Sequence, residues 1–294
     1  TVGNVYFWWD FLSIEGRGRE NFPDEAALHA YIAENVVKCE DWFWRAFRGG
    51  MYLAGNNLYN YYLKGDGDYE APQPEKAAGI FREGAEMGYP LHQCFYAQEL
   101  EKAGDLVGAA EWRLKAAQGG QPGLWYKLGQ VYEGNKGVEK DLEKSFYCFS
   151  HALEEGDKLA YSALGLAYFF SKGVPQDRAK AYEYFSKDLE MCKDTFSCPY
   201  LAQCCLEGWG TAPDYQRAYQ LAWETKDKAR SCYVLGRIYC EGLGNACAVL
   251  TSIEEQAKDI AMGVDFLNRA SSIPEAQEAR KHYKKTLFGR WKRI

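Results

Sequence analysis

Apolar residues in this chain recur in pairs four apart, and the pairs themselves recur at a near-constant interval. Leu128-Gly129 with Tyr132, Leu164-Gly165 with Tyr168, Leu201-Ala202 with Cys205 and Leu235-Gly236 with Tyr239 follow one another at 36, 37 and 34 residues. Residues four apart share one face of a helix, so each pair points together into a core. The small residue after each Leu leaves room for a second helix to approach. Nine positions after each Leu stands Gly137, Gly173, Gly210 or Gly244, which relieves the backbone where the first helix ends and the chain reverses. Asp141, Asp177 and Asp214 follow at the thirteenth position as N-caps of a second helix. That second helix is apolar at helical spacing, as in Phe146, Phe149 and Ala152, or Ala181, Phe185 and Leu189. The pattern predicts an all-α chain of helix pairs, each obliged to bury its apolar side against the next.

This pattern resembles the Sel1-like repeat family, a relative of tetratricopeptide repeats. The run from Leu128 through Gly137-Val138, Asp141 and Lys144 to Ala152 and Gly156 follows the family pattern closely. So does the run from Leu164 through Gly173-Val174, Asp177 and Lys180-Ala181. Two matches in step make the signal strong. Leu58, Tyr62, Gly65, Lys76-Ala77, Ala85 and Gly88 fit a repeat with a longer turn, Asp66 to Pro74. Tyr96-Ala97, Leu100, Gly104-Asp105, Ala109-Ala110 and Lys115-Ala116-Ala117 fit a shorter, tetratricopeptide-like one. The repeat near Cys232 carries extra residues, about 245–257, before Asp259 and a helix containing Phe266, Leu267 and Ala270. The resemblance implies a right-handed α/α superhelix of six to seven repeats. It divides the chain into a degenerate repeat and cap over 1–52, a solenoid over 53–270 and a capping helix with a basic tail over 271–294. In the first part helices are expected over Tyr6–Glu15, Glu25–Val37 after the Phe22-Pro23-Asp24 cap, and Glu40–Phe47. In the last part Pro274 opens a helix to about Leu287.

Composition changes this picture little. Of 294 residues 47% are hydrophobic and 26% charged, a globular balance, and 16% are aromatic. The net charge is −6, but Arg280 to Ile294 holds seven Lys or Arg and no acid, so the rest of the chain carries −13. A nucleic-acid partner is therefore not expected, because such binders show a basic footprint. The basic tail is read as cations placed favourably near a helix C-terminus. The longest clear apolar run, Ala163 to Phe170, is too short to span a bilayer. Thr1 to Leu12 lacks the basic start and small-residue cleavage site of a signal peptide. Ten Cys at irregular spacing read first as buried thiols in a reducing, cytoplasmic setting. Cysteine-rich members of the resembled family bridge one repeat to the next with Cys eight apart. Here Cys198 and Cys232 match the second position of that pair, but Glu190 and Glu224 stand at the first. Cys192 lies near enough in sequence to reach Cys198.

Candidate chemistry is sparse. His29, His92, His151 and His282 lie on separate predicted helices without partners at metal-ligand spacing, so they read as surface or packing residues and no metal or cofactor is expected. Gly16-Arg17-Gly18 and Gly65-Asp66-Gly67 sit in helix-to-helix turns rather than after strands, which does not suit a phosphate loop. Adjacent acids such as Glu154-Glu155 and Glu254-Glu255 diverge around a helix and do not converge on one substrate atom.

The resemblance implies a non-catalytic interaction scaffold, with the first helices lining a concave groove. Groove positions fall two before and two and five after each anchor Leu. The set comprises Tyr126 and Gln130, then Ser162, Leu166 and Phe169 with the adjoining Phe170, then Gln203, then Tyr233 and Arg237. Glu133, Pro199, Leu206 and Cys240 complete the same positions, and Asn56, Asn60, Gln98 and Glu101 are their counterparts in the weaker repeats. The expected occupant is a protein or peptide, in an assembly, host-interaction or toxin-immunity role. The alternative is an enzyme or small-molecule binder, which would need convergent buried titratable groups in the groove.

Overall fold

The computed structural model describes residues 22–64, 71–135, 137–193, 195–243, 253–285 and 291–294. The chain forms two compact units, Thr1–Glu139 and Lys140–Ile294. The first helix expected from the sequence, Tyr6–Glu15, lies outside the described residues, as do Gly16-Arg17-Gly18, Gly65-Asp66-Gly67 and Gly244.

In the first unit α1 runs from Glu25 to Arg48, and its Asp24 cap accepts a bond from the Ala27 amide at 2.8 Å. It is one helix rather than the expected two, because nothing between 25 and 48 is a Gly or Pro that would stop it. Helices α2 (Tyr52–Lys64), α3 (Pro74–Glu86), α4 (Pro90–Lys102) and α5 (Leu106–Gln118) follow. Phe43 and Phe47 of α1 pack with Leu58, Tyr61 and Tyr62 of α2 and with Ala77 and Ile80 of α3. His92 of α4 is fully buried among the Phe47, Phe81 and Tyr89 rings. Gly55 and Gly84 make that possible: a Cβ there would come within 2.7 Å and 2.6 Å of the imidazole. Short α6 (Trp125–Gln130) continues into a π turn, Val131–Asn135, which bends at Gly134.

In the second unit α7 (Leu142–Glu154), α8 (Ala160–Phe170), α9 (Arg178–Cys192), α10 (Cys198–Glu207), α11 (Tyr215–Glu224), α12 (Ala229–Glu241), α13 (Ile253–Arg269) and α14 (Pro274–Lys281) succeed one another. The caps are as the sequence predicts. Asp141, Asp177 and Asp214 each accept a bond at 2.9 Å from the amide three residues on, Lys144, Lys180 and Arg217. Anchors Leu201 and Leu235 are buried in one core with Phe185, Leu221, Ile238 and Leu267, and anchor Leu164 is buried as well. The small residue beside each anchor is a close-approach site. A Cβ on Gly165 would lie 2.5 Å from Phe185, and one on Gly236 would lie 2.7 Å from Leu267.

The glycine nine after the anchor does more than end a helix. Gly137, Gly173 and Gly210 have φ of 73°, 70° and 77°. Each lies in the turn beyond the helix, against the first residues of the preceding pair's second helix. A Cβ on Gly137 would lie 2.7 Å from Leu106, one on Gly173 would lie 1.9 Å from the Leu142 carbonyl oxygen, and one on Gly210 would lie 3.0 Å from Ala179. In three of the repeats the helix end itself is taken by a left-handed residue seven after the anchor: Ser171, Gly208 or Gly242.

Two boundaries differ from expectation. Helix α13 begins at Ile253, so it takes in Asp259 and the last of the extra residues expected to precede it. Helix α14 ends at Lys281 instead of near Leu287, and the tail forms a two-stranded antiparallel ribbon, β1 (Tyr283–Lys285) with β2 (Trp291–Arg293). Side-chain anchoring explains the change. The Tyr283 hydroxyl donates to the Cys240 carbonyl at 3.3 Å, and Arg280 lies 4.3 Å over the Trp291 ring. No described helix is long and apolar enough to cross a membrane.

Candidate interaction site

The predicted groove residues fall in both units. Tyr126 and Gln130 belong to the first, where Tyr126 is half-buried and Gln130 exposed. The rest lie on α8, α10 and α12 of the second. The Ser162 hydroxyl is turned back onto its own helix start, donating to the Leu159 carbonyl at 3.0 Å. Leu166 is partly buried against the core. Phe169, Gln203 and Tyr233 are 2%, 1% and 4% exposed, so they form a floor and not an open face. Phe170, at 43%, is the large apolar group of the set that reaches solvent.

Phe169 is the centre of an aromatic nest. Its ring lies 4.9 Å from Phe170, 5.6 Å from Tyr200, 5.9 Å from Trp209 and 6.0 Å from Phe185. It is core because α9 and α10 both cover it, which the count of apolar residues on α8 alone does not reveal. Two guanidiniums rest on the nest. Arg178 lies 3.7 Å over Trp209 and 4.9 Å over Phe169. Arg230 lies 5.2–5.3 Å over Phe169, Phe170 and Tyr200 and donates to the Gln203 carboxamide oxygen. These contacts carry Gln203 to Phe169 and Phe170.

Arg237 sits in a separate ionic knot. Its Nη1 donates to Glu207 at 3.0 Å and to the Tyr233 hydroxyl at 2.9 Å, its Nη2 donates to Glu241 at 3.0 Å, and its Nε also bonds Glu241. Burial opposes its charge, but the bonds to Glu241 and Glu207 outweigh burial and hold its pKa above the ordinary value. The Tyr233 hydroxyl in turn donates to Glu207 at 3.2 Å, and burial raises its pKa. Arg237 is therefore neutralised from within and offers a partner little charge.

Sequence reasoning missed Arg178, Arg230, Tyr200 and Trp209. One signal was available for Arg230. It lies three before Tyr233, one further turn along the same face. Extending the rule by that turn gives Leu159, Phe196 and Arg230 at matching positions five before the anchors, and both Leu159 and Phe196 are exposed.

Nucleophilic chemistry is poorly served. Burial pushes the Cys148, Cys204 and Cys240 thiols up to about 12, so they stay protonated at neutral pH. The Cys192 thiol donates to the Lys158 carbonyl at 3.7 Å. Among the described residues no group of three His, Cys, Asp or Glu is placed to hold a metal. His151 faces Glu154 at 2.8 Å, and His282 ends α14 at the surface.

A family model for the Sel1 repeat matches residues 49–89, 126–157, 158–187, 198–222 and 229–246. The chain belongs to the Sel1 repeat family. Four of the matched stretches each take in a helix pair and the fifth takes in α12, and Sel1 repeat proteins are generally protein-interaction scaffolds and typically non-catalytic. A solved structure agrees on the all-α solenoid. A Sel1 repeat protein from Oxalobacter formigenes superposes with a TM-score of 0.54 at 23% identity, over 81% of this chain and 67% of that one, a likeness that shows the fold. A protective antigen of uropathogenic Escherichia coli, described as displaying an SLR fold, has a TM-score of 0.47 at 22% identity and covers 83% of this chain. This Sel1 repeat chain spans 51% of that antigen's length. No curated protein matches the sequence.

Proposed function

We propose that the chain is a non-catalytic scaffold that holds a protein or peptide segment against the first-helix face of its second unit. The observation that carries this reading is the composition of that face. Exposed Phe170 and Phe196 flank Arg230 and Tyr200, above a buried floor of Phe169, Gln203 and Tyr233. Aromatic rings with arginine, set over a packed base, supply contact area at low entropic cost and are the usual anchors of protein interfaces. The site is shifted from the one the sequence suggested. Phe170 stays in it, Arg230 and Phe196 join it, and Phe169 and Arg237 support it from below or beside. A reducing, cytoplasmic setting belongs to the same proposal, since it suits the buried thiols of Cys148, Cys204, Cys205 and Cys240.

The test is selection of random peptides displayed on phage against the immobilised protein, counter-screened with a Phe170→Ser, Phe196→Ser double variant. Both side chains are exposed, so the variant should melt within a few degrees of wild type. Peptides enriched by wild type and lost by the variant are expected. Enrichment that ignores the two substitutions would place the binding face elsewhere.

A further inference from the structure

Arg178, Arg230 and Gln203 form a corner with more hydrogen-bond donors than acceptors, the Gln203 oxygen being met by Arg230. Among the described residues neither guanidinium makes an ion pair, whereas nearby Arg237 is bonded to two carboxylates. The Nη1 of Arg178 is buried with no hydrogen-bond partner. Gln203 is 1% exposed, and its Nε2 also has no partner. Its amide orientation is fixed by chemistry. Arginine only donates, so the carboxamide oxygen must face Arg230, leaving the amino group unsatisfied. Glu275 is the acid whose charge Arg230 feels, yet it makes no hydrogen bond or ion pair with it.

Leaving such groups unmet is costly. A buried donor without a partner has lost its hydration with nothing in return, and the loss is larger where charge is involved. Both guanidiniums touch the Phe169 ring, so two like charges also share one small apolar surface. The arrangement is that of a site held ready: rings support the flat faces of the guanidiniums and leave their edges to bond.

We infer that this corner receives a carboxylate carried by the peptide partner, with Arg178, Arg230 and Gln203 as its donors and Phe170 packing the apolar residue beside it. The donor set demands an anion with several acceptor oxygens, and a forked guanidinium edge matches a planar carboxylate. Arg178 and Arg230 are only half-buried as residues, which leaves a way in. The inference rests on the peptide-binding reading above and adds the partner's chemistry. The carboxylate has two sources, an Asp or Glu side chain or the free end of a chain.

Peptides from the selection just described are synthesised in four forms. These have a free C-terminus, an amidated C-terminus, every acid replaced by its amide, and each acid replaced by phosphoserine. Each is titrated against wild type, against an Arg178→Met, Arg230→Met double variant that keeps the stems on the rings, and against Arg178→Lys. Acid-containing peptides should dominate the selection and weaken about tenfold or more on the Met variant. Neutralising the peptide should weaken wild-type binding by a similar factor and leave the Met variant unmoved. Arg178→Lys should fall between. Loss on amidation alone identifies a chain end, and loss on Glu→Gln or Asp→Asn identifies a side chain. Tighter binding of the phosphoserine form would overturn the assignment to a carboxylate. Selected peptides without acids, bound equally by wild type and the Met variant but lost by the Phe170, Phe196 variant, would overturn the carboxylate and leave the peptide site standing. Failure to select any peptide sensitive to either variant would remove both.

Discussion

The glycine nine residues after each anchor gives the sharpest test of how neighbouring repeats are joined. In Gly173→Ala two penalties act together. With φ of 70°, an L-residue pays about 1–2 kcal/mol for the left-handed backbone. The added Cβ would also stand 1.9 Å from the Leu142 carbonyl oxygen and 2.3 Å from its carbon. That neighbour is backbone at the start of α7 and cannot swing aside, so the turn must retreat, at an overpacking cost of about 1–3 kcal/mol. Gly156 separates the two effects. Its φ is 88°, but a Cβ there meets nothing within 4 Å, so Gly156→Ala carries the conformational penalty alone. Melting by circular dichroism should lower Tm by about 2–8 °C for Gly156→Ala and about 4–20 °C for Gly173→Ala, at roughly 2–4 °C per kcal/mol. Hydrogen exchange should also quicken at the Phe146 amide, which bonds the Leu142 carbonyl within the helix, in Gly173→Ala but not in Gly156→Ala. Equal melting losses, or unchanged exchange at Phe146, would refute the idea that this glycine serves contact between repeats.

Three further outcomes are expected. Burial lowers the His92 pKa from 6.5 to about 4, so the folded first unit resists protonation that the unfolded chain accepts; stability should hold above pH 6.5 and fall by roughly 2 kcal/mol by pH 5 in urea unfolding, and His92→Leu should flatten that profile. Phe169→Ala should cost about 3–5 kcal/mol, while Phe170→Ala on the exposed neighbour should cost less than about 1, and equal losses in denaturant melts would contradict the buried nest. Asp177→Ala removes the bond to the Lys180 amide and should cost about 1 kcal/mol by the same measurement, with Asp177→Asn retaining most of it.

Local rules carried much of the architecture. The 34–37 residue interval, the capping aspartates and the anchor leucines are short-range signals, each readable within one helix or its turn. They located the helix pairs and the buried anchors, and the family they resemble is the family found. Local rules also misled where breakers are absent, as in the continuous α1, and where a distant side chain overrides helix propensity, as Tyr283 does through Cys240.

The candidate site was legible only in part. Periodicity placed Phe169, Gln203, Tyr233 and Arg237 on first helices, which is where they lie. It could not show that α9 and α10 close over Phe169, or that Arg237 is answered by Glu207, thirty residues away. Nor could it show that Arg178 and Arg230, 52 residues apart, reach one ring while neither forms an ion pair among the described residues. Helix period, capping and turn chemistry are set by residues a few positions apart, so the sequence alone determined them. Whether a charge is met or left over depends on what the stacked helices bring within a few ångströms, and that only the tertiary structure decided.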